Sequence, residues 1–315
     1  MALTSSYDRT MLTAKIGTRA NRDENAAMII DAHAHLDLAE GITGEDYVRW
    51  MDASGINKVV LLAGLNSLIP PTPDWQISIM RFMLSTPVHP LGKRIYESLI
   101  KGDYVKGGGK NIQIIQDPDN DSVRQVVSKY PDRFMAFVVI NPKLKNAMEI
   151  FEKGIGEQGM VGVKCHAWWH RIDIASELLP FARRCEGKGL PLLIHLGGGP
   201  QTGNFQVLLD NCPRLKLILA HVAIPHFQRA WKAIKEAKNC FVDISGSYLN
   251  AYLVRKALKA LGPDKLLFGS DGPVSLRCEG GGYSYERILK WTRELPISDN
   301  DKEKIFHKNL ERLLP

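Results

Sequence analysis

The residues of this 315-residue chain best suited to chemistry are histidines and aspartates at the ends of short apolar runs. His33-Ala34-His35 comes first. Side chains alternate along an extended strand, so residues two apart face the same way and both imidazoles enter one space. Such a pair makes half a metal site, although on its own it fits a solvated strand equally well. The other polar strand ends tip the balance. His195 closes Leu192-Leu193-Ile194, His221 closes Leu217-Ile218-Leu219-Ala220, and Asp271 closes Leu266-Leu267-Phe268-Gly269-Ser270. Several buried imidazoles and a carboxylate each need a partner, and one shared divalent cation serves them all.

These residues require elements that bring their ends together. Short β-branched or apolar runs recur at 28–35, 58–63, 134–140, 161–165, 191–196, 215–221, 240–244 and 265–270, which makes eight candidate strands. Between them lie helical periods. Val123, Val126, Val127 and Tyr130 share one face; so do Phe227, Ala230, Trp231 and Ile234; and Leu253, Ala257, Leu258 and Leu261 share a third. Ser298 with Asp301 starts a closing helix through Ile305, Phe306, Leu310 and Leu313.

Strand followed by helix, repeated eight times, implies an α/β fold with a parallel sheet covered on both faces. Eight such units close into a (β/α)8 TIM barrel of about 250 residues, with strand C-terminal ends converging on one mouth. The span 28–315 is longer than that. The surplus lies after strand two, at 65–111, where Pro70, Pro71, Pro73, Pro87 and Pro90 and the Gly107-Gly108-Gly109 run preclude a simple connection. That excursion leaves the mouth side of the barrel and is expected to be a lid or pocket wall. Residues 1–27 are polar, lack a sustained period, and read as a leader.

Composition narrows the class. With 44% hydrophobic and 24% charged residues, the chain is globular, and no apolar run reaches the roughly 18 residues that would span a bilayer. The five cysteines are scattered without a CxxC pair, which excludes a thiolate zinc cage, argues against a disulfide framework, and favours a reducing cytoplasmic setting. The net charge of +7 is spread over many segments, with no nucleic-acid signature. It is read as a solvated basic surface and a preference for a small anionic substrate. Neither nucleic acid nor membrane is expected as a partner.

From His33-x-His35 onward the chain resembles the amidohydrolase superfamily, in particular its amidohydrolase-related branch of TIM-barrel metal-dependent hydrolases and decarboxylases. The other motifs that carry the resemblance are Gly162-Val163-Lys164-Cys165-His166, Leu193-Ile194-His195, Leu219-Ala220-His221, Phe268-Gly269-Ser270-Asp271-Gly272-Pro273 and Lys304-Ile305-Phe306-His307-Lys308-Asn309. The resemblance implies that His33, His35, His195 and Asp271 hold one divalent metal, and that His221 has an acid/base role shared with Asp271. Zinc suits three imidazoles and a carboxylate, and Mn²⁺ or Fe²⁺ accepts the same donors. In some superfamily members a carboxylated lysine at the end of strand four bridges two metals. Here Lys164 either takes that role, with His221 on the second ion, or remains an ammonium for an anionic substrate. His166, Trp168, Arg171 and Arg277 are candidate substrate-binding residues around the mouth. The resemblance further implies hydrolysis of an ester, lactone or amide by metal-activated water. Non-oxidative decarboxylation of an unsaturated or aromatic carboxylate is the alternative, and a non-catalytic ligand-binding barrel the third. Barrels of this branch are often homodimers; no interface signature stands out in the sequence.

Overall fold

The eight apolar runs form strands because each is buried on both faces. In Lys58–Ala63, for example, every residue after the first is buried, so one face meets the barrel interior and the other meets a helix. The structure is a computed structural model that describes residues 28–315, apart from 68, 71 and 108 and the side chain of Leu38. The leader expected over 1–27 lies outside the described residues.

The strands are Ile30–Leu36, Lys58–Ala63, Phe134–Ala136 continued as Val138–Ile140, Val163–His166, Pro191–His195, Lys216–Leu219, Cys240–Asp243 and Leu266–Leu267. They are called strands one to eight below. Neighbours pair in parallel from strand one through the first half of strand three, and from its second half through strand eight. Phe137 N–H donates to Leu61 O and joins the two parts. The ring is completed between strands eight and one by Ala32 N–H to Phe268 O (2.9 Å), Asp271 N–H to His33 O (2.6 Å) and His35 N–H to Gly272 O (2.7 Å). These three bonds carry the fold into the site, since three of the candidate ligands, His33, His35 and Asp271, contribute backbone groups to them.

The helices follow the sequence periods. Asn120–Lys129 ends just before Tyr130-Pro131, as a proline requires of its predecessor. Gln228–Glu236 buries Ala230, Trp231 and Ile234, and each fully buried large apolar side chain is worth about 1.5–3 kcal/mol. At the C-terminus Asp301 N–H donates to Ser298 Oγ at 3.2 Å, the expected helix start. In the terminal motif Asn309, fully buried, donates from its amide to Pro263 O and Leu266 O, both at 2.8 Å. That asparagine fastens the last helix to the start of strand eight.

The excursion after strand two has its own structure. The helices Asp74–Ser85 and His89–Ser98 pack together and lead into an antiparallel sheet of Ile100–Lys101, Tyr104–Gly107 and Lys110–Gln113. Arg81 donates to the carbonyls of Ser247, Tyr248 and Leu249, and so pins the first helix to the loop after strand seven. Among the described residues, no helix is long and apolar enough to cross a membrane.

Candidate metal centre

Strand one ends with His33 and His35 pointing into the mouth. Each ring has one nitrogen committed to a group that only accepts. His33 Nδ1 donates to the Asp243 carboxylate at 2.9 Å, and His35 Nδ1 donates to the Ala63 carbonyl at 3.0 Å. With those tautomers fixed, both Nε2 atoms are bare lone pairs. They face each other at 3.2 Å, where neither can donate to the other. Burial keeps both rings neutral, reinforced by the Lys164 ammonium: the His33 pKa lies well below its usual value and that of His35 is pushed down to about 3. Two opposed, desolvated lone pairs call for a positive group beside them. Asp271 Oδ1 lies 3.6 Å from His33 Nε2 and 3.7 Å from His35 Nε2, completing a trio of donors within metal-binding reach of one another.

Lys164 on strand four is 1% exposed and sets its Nζ 3.1 Å from His33 Nε2. Burial pulls its pKa down to about 8, against the pull of the Asp271 and Asp243 carboxylates. As an ammonium it donates to His33 and supplies part of the charge the lone pairs demand.

His195 and His221 form a second pair. His221 Nδ1 donates to the Ser245 carbonyl at 3.1 Å, with the Ser245 hydroxyl at 2.8 Å, which leaves His221 Nε2 bare. His195 Nδ1 lies 3.1 Å from that atom, and His195 Nε2 lies 2.7 Å from the Tyr96 hydroxyl. The site therefore gathers His33, His35 and Asp271 directly, while His195 stands one hydrogen bond aside. Gly246 makes room for the His221 ring: its φ is +95°, and a Cβ there would come within 2.7 Å of His221 Nδ1. His221 and Asp271 themselves have φ of 56° and 59°. That left-handed conformation costs a non-glycine residue about 1–2 kcal/mol and is held here by the surrounding hydrogen bonds.

Sequence reasoning missed Asp243. It ends strand seven as the histidines end theirs, so its placement was the available signal. Fully buried, its Oδ2 takes His33 Nδ1–H and its Oδ1 takes the backbone N–H groups of His221 and Ser245 at 2.8 and 3.1 Å. Burial opposes its charge, but the His33 and His221 rings and the Ser245 hydroxyl outweigh it and hold the carboxyl below the usual carboxylate range. His33, His221 and Asp243 also approach one another closely enough to suggest a second ion site. His33 Nδ1 is already bonded to Asp243 and His221 Nδ1 to Ser245, so this cluster orients the rings.

Above the cluster opens a cavity of about 910 Å³, lined by His35, Lys164, His221 and Asp271 and walled by Trp168 and Trp169. His166 stacks on His195 with centroids 4.0 Å apart and on Trp169 at 4.5 Å. The indole N–H groups of Trp168 and Trp169 are buried without a hydrogen-bond partner. The excursion supplies much of the wall, including Ile77, Arg81 and Lys106. One expectation needs correction. Arg171 is exposed and does not line the cavity, because the turn closed by Ile172 N–H to Ala167 O throws it outward with φ of 51°. Arg277 does line it, but its guanidinium is paired with Glu40. The Gly197-Gly198-Gly199 run, which could have received a ligand, packs instead on this chain: a Cβ at Gly197 would overlap Thr202, and Glu97 accepts from Gly198 N–H.

A family model described as Amidohydrolase matches residues 30–315. No curated protein matches the chain. Several solved structures share the fold. The 2,6-dihydroxybenzoate decarboxylase from Rhizobium is 18% identical, with a TM-score of 0.58, over 91% of this chain and 98% of that one. A dihydroxybenzoic acid decarboxylase from Polaromonas, with bound manganese and the inhibitor 2-nitroresorcinol, is 18% identical at TM-score 0.56, over 91% and 96%. The 4-oxalomesaconate hydratase from Rhodopseudomonas palustris is 15% identical at TM-score 0.60, over 91% and 96%.

Proposed function

The chain belongs to the amidohydrolase family, and on that premise we propose that it is a metal-dependent, non-oxidative decarboxylase of an aromatic or unsaturated carboxylate. The observation that carries this reading is the pair of bare, neutral Nε2 atoms of His33 and His35, held 3.2 Å apart beside the Asp271 carboxylate on the floor of the cavity. One divalent ion fits that donor set, and His195, now bonded to His221, would join it as a fourth ligand by turning from that partner. Zn²⁺ and Mn²⁺ both accept it, and the manganese of the Polaromonas decarboxylase favours testing Mn²⁺ first. When bound, the ion supplies positive charge that anchors a substrate carboxylate and stabilises negative charge developing next to it.

The chain's own residues do the rest. Trp168 and Trp169 wall the space for a planar substrate, and their unpartnered N–H groups are donors for its oxygens. The Lys164 ammonium adds positive charge at the cavity floor. As the bond between the unsaturated carbon and the carboxylate breaks, its electron pair stays on that carbon, carbon dioxide departs, and the carbon takes a proton. Asp271, whose partly exposed carboxylate faces the cavity beside the two Nε2 atoms, is placed to hold that proton. His221, with Nδ1 fixed on Ser245, has its other proton-handling atom, Nε2, held by His195 until that ring turns away. A single ion is favoured over two, because the His221 nitrogens are both engaged and Lys164 contacts His33.

Hydrolysis of an ester, lactone or amide is the second reading. It is favoured by Val222-Ala223-Ile224-Pro225 after His221, where decarboxylases of this branch tend to have a glycine-rich turn. The Mn²⁺-loaded enzyme should be offered a panel of hydroxybenzoates, unsaturated dicarboxylates, lactones and esters, with products weighed by mass spectrometry. Loss of 44 mass units supports decarboxylation; cleavage of an ester into acid and alcohol, or addition of 18 to a lactone, overturns it in favour of hydrolysis, and addition of 18 to an unsaturated dicarboxylate overturns it in favour of hydration.

A further inference from the structure

The excursion after strand two reaches the donor cluster through one atom. Tyr96, fully buried on the helix His89–Ser98, places its hydroxyl 2.7 Å from His195 Nε2 and stacks its ring on Trp168, centroids 3.7 Å apart and planes 16° off parallel. Its neighbour Glu97 takes the N–H of Gly198, just past His195. Two successive side chains of this helix thus grip the end of strand five.

The hydrogen-bond directions around His195 follow from its neighbours. Because the Ser245 carbonyl only accepts, the His221 ring proton is on Nδ1 and His221 Nε2 is bare. His195 Nδ1 therefore donates to it across 3.1 Å, and His195 Nε2 accepts from the Tyr96 hydroxyl. To give a lone pair to an ion at the cluster from the same nitrogen, His195 must carry its proton on Nε2 instead, with no change in charge. A carbonyl next to Nε2 would permit only one of those states, as Ala63 does for His35. A hydroxyl rotates, so it donates to a bare Nε2 or accepts from a protonated one.

We infer that Tyr96 is a positioning residue for His195, allowing it to exchange between His221 and the metal, so that the excursion is coupled to loading of the centre. This rests on the metal-centre reading above. The test uses the full chain and Zn²⁺ as a diamagnetic probe. Tyr96→Phe keeps the ring and its stack on Trp168 but removes the hydroxyl. In chelator competition the wild-type protein should bind one equivalent, and Tyr96→Phe should bind it about 10–100-fold more weakly, the usual effect of removing a ligand's hydrogen-bond partner. Its circular dichroism and metal-free melting should stay close to wild type. Unchanged affinity in Tyr96→Phe, with loss only in Tyr96→Ala, would mean that the ring packs and nothing more, and would overturn the inference. A measurement on the wild type needs no variant: ring ¹⁵N shifts should show His195 protonated on Nδ1 without zinc and on Nε2 with it. Persistence of the Nδ1 proton after loading overturns the inference while leaving the metal reading intact. If the wild type takes up no zinc or manganese, both fail.

Discussion

The two pairs of histidines at the mouth are built on opposite principles. His33 and His35 have their outer nitrogens against groups that only accept, a carboxylate and a carbonyl, so each presents a bare Nε2 in one fixed state. His195 has its outer nitrogen against a hydroxyl, and its inner nitrogen faces another histidine. The first pair is a preformed half-site; the second is an adjustable one. What separates them is the chemistry of the partner atom, since all four rings lie at strand ends and all four are largely buried.

Breaking the fixed pair should have the largest effect. His33→Ala removes one of two opposed lone pairs and should abolish both stoichiometric metal, by elemental analysis, and turnover, with circular dichroism unchanged. His221→Asn in the adjustable pair should keep the metal and lower kcat by about 10²–10⁴, the usual share of a proton-handling group; equal loss of metal would erase the distinction between the pairs. Asp243→Asn probes what fixes His33. An amide nitrogen opposite Nδ1 donates where the carboxylate accepted, which favours the wrong tautomer, so chelator competition should show metal affinity falling about 10–100-fold.

The smallest effect concerns a histidine outside the cluster. His226 donates from Nε2 to the Gly197 carbonyl at 2.9 Å, and burial, helped by nearby Lys93, pushes its pKa down to about 4. Between pH 6.5 and 4 the unfolded chain binds a proton that the folded chain refuses, so this ring's contribution to stability is whole above pH 6.5 and declines as the pH falls through that window. Denaturant melts at pH 7 and 5 should show His226→Gln losing about 1–2 kcal/mol less than wild type over that interval. An identical loss would show that burial beside Lys93 does not hold this ring neutral.

The barrel was legible because its signal is local. Most of the apolar runs end at a polar residue, and the eight runs sit where the strands are. The same regularity exposed His33, His35, His195, His221 and Asp271. Asp243 obeyed it too, yet its role lies in a contact with His33 across 210 positions of sequence, which spacing within one strand does not reveal. Tyr96 sits in an irregular connection whose docking is decided by Arg81, Glu97 and the stack on Trp168, all of them long-range contacts. Arg171 misled for the reverse reason: a cation two residues past Trp169 suggests an anion site, but a left-handed backbone turns it into solvent.

The most direct test of the account is the metal content of the purified chain, measured by elemental analysis after equilibration with Mn²⁺ or Zn²⁺ and removal of the excess, alongside its thermal midpoint. The account predicts one tightly held divalent ion per chain and a midpoint raised by the bound ion. No stoichiometric ion and no shift with either metal would contradict it.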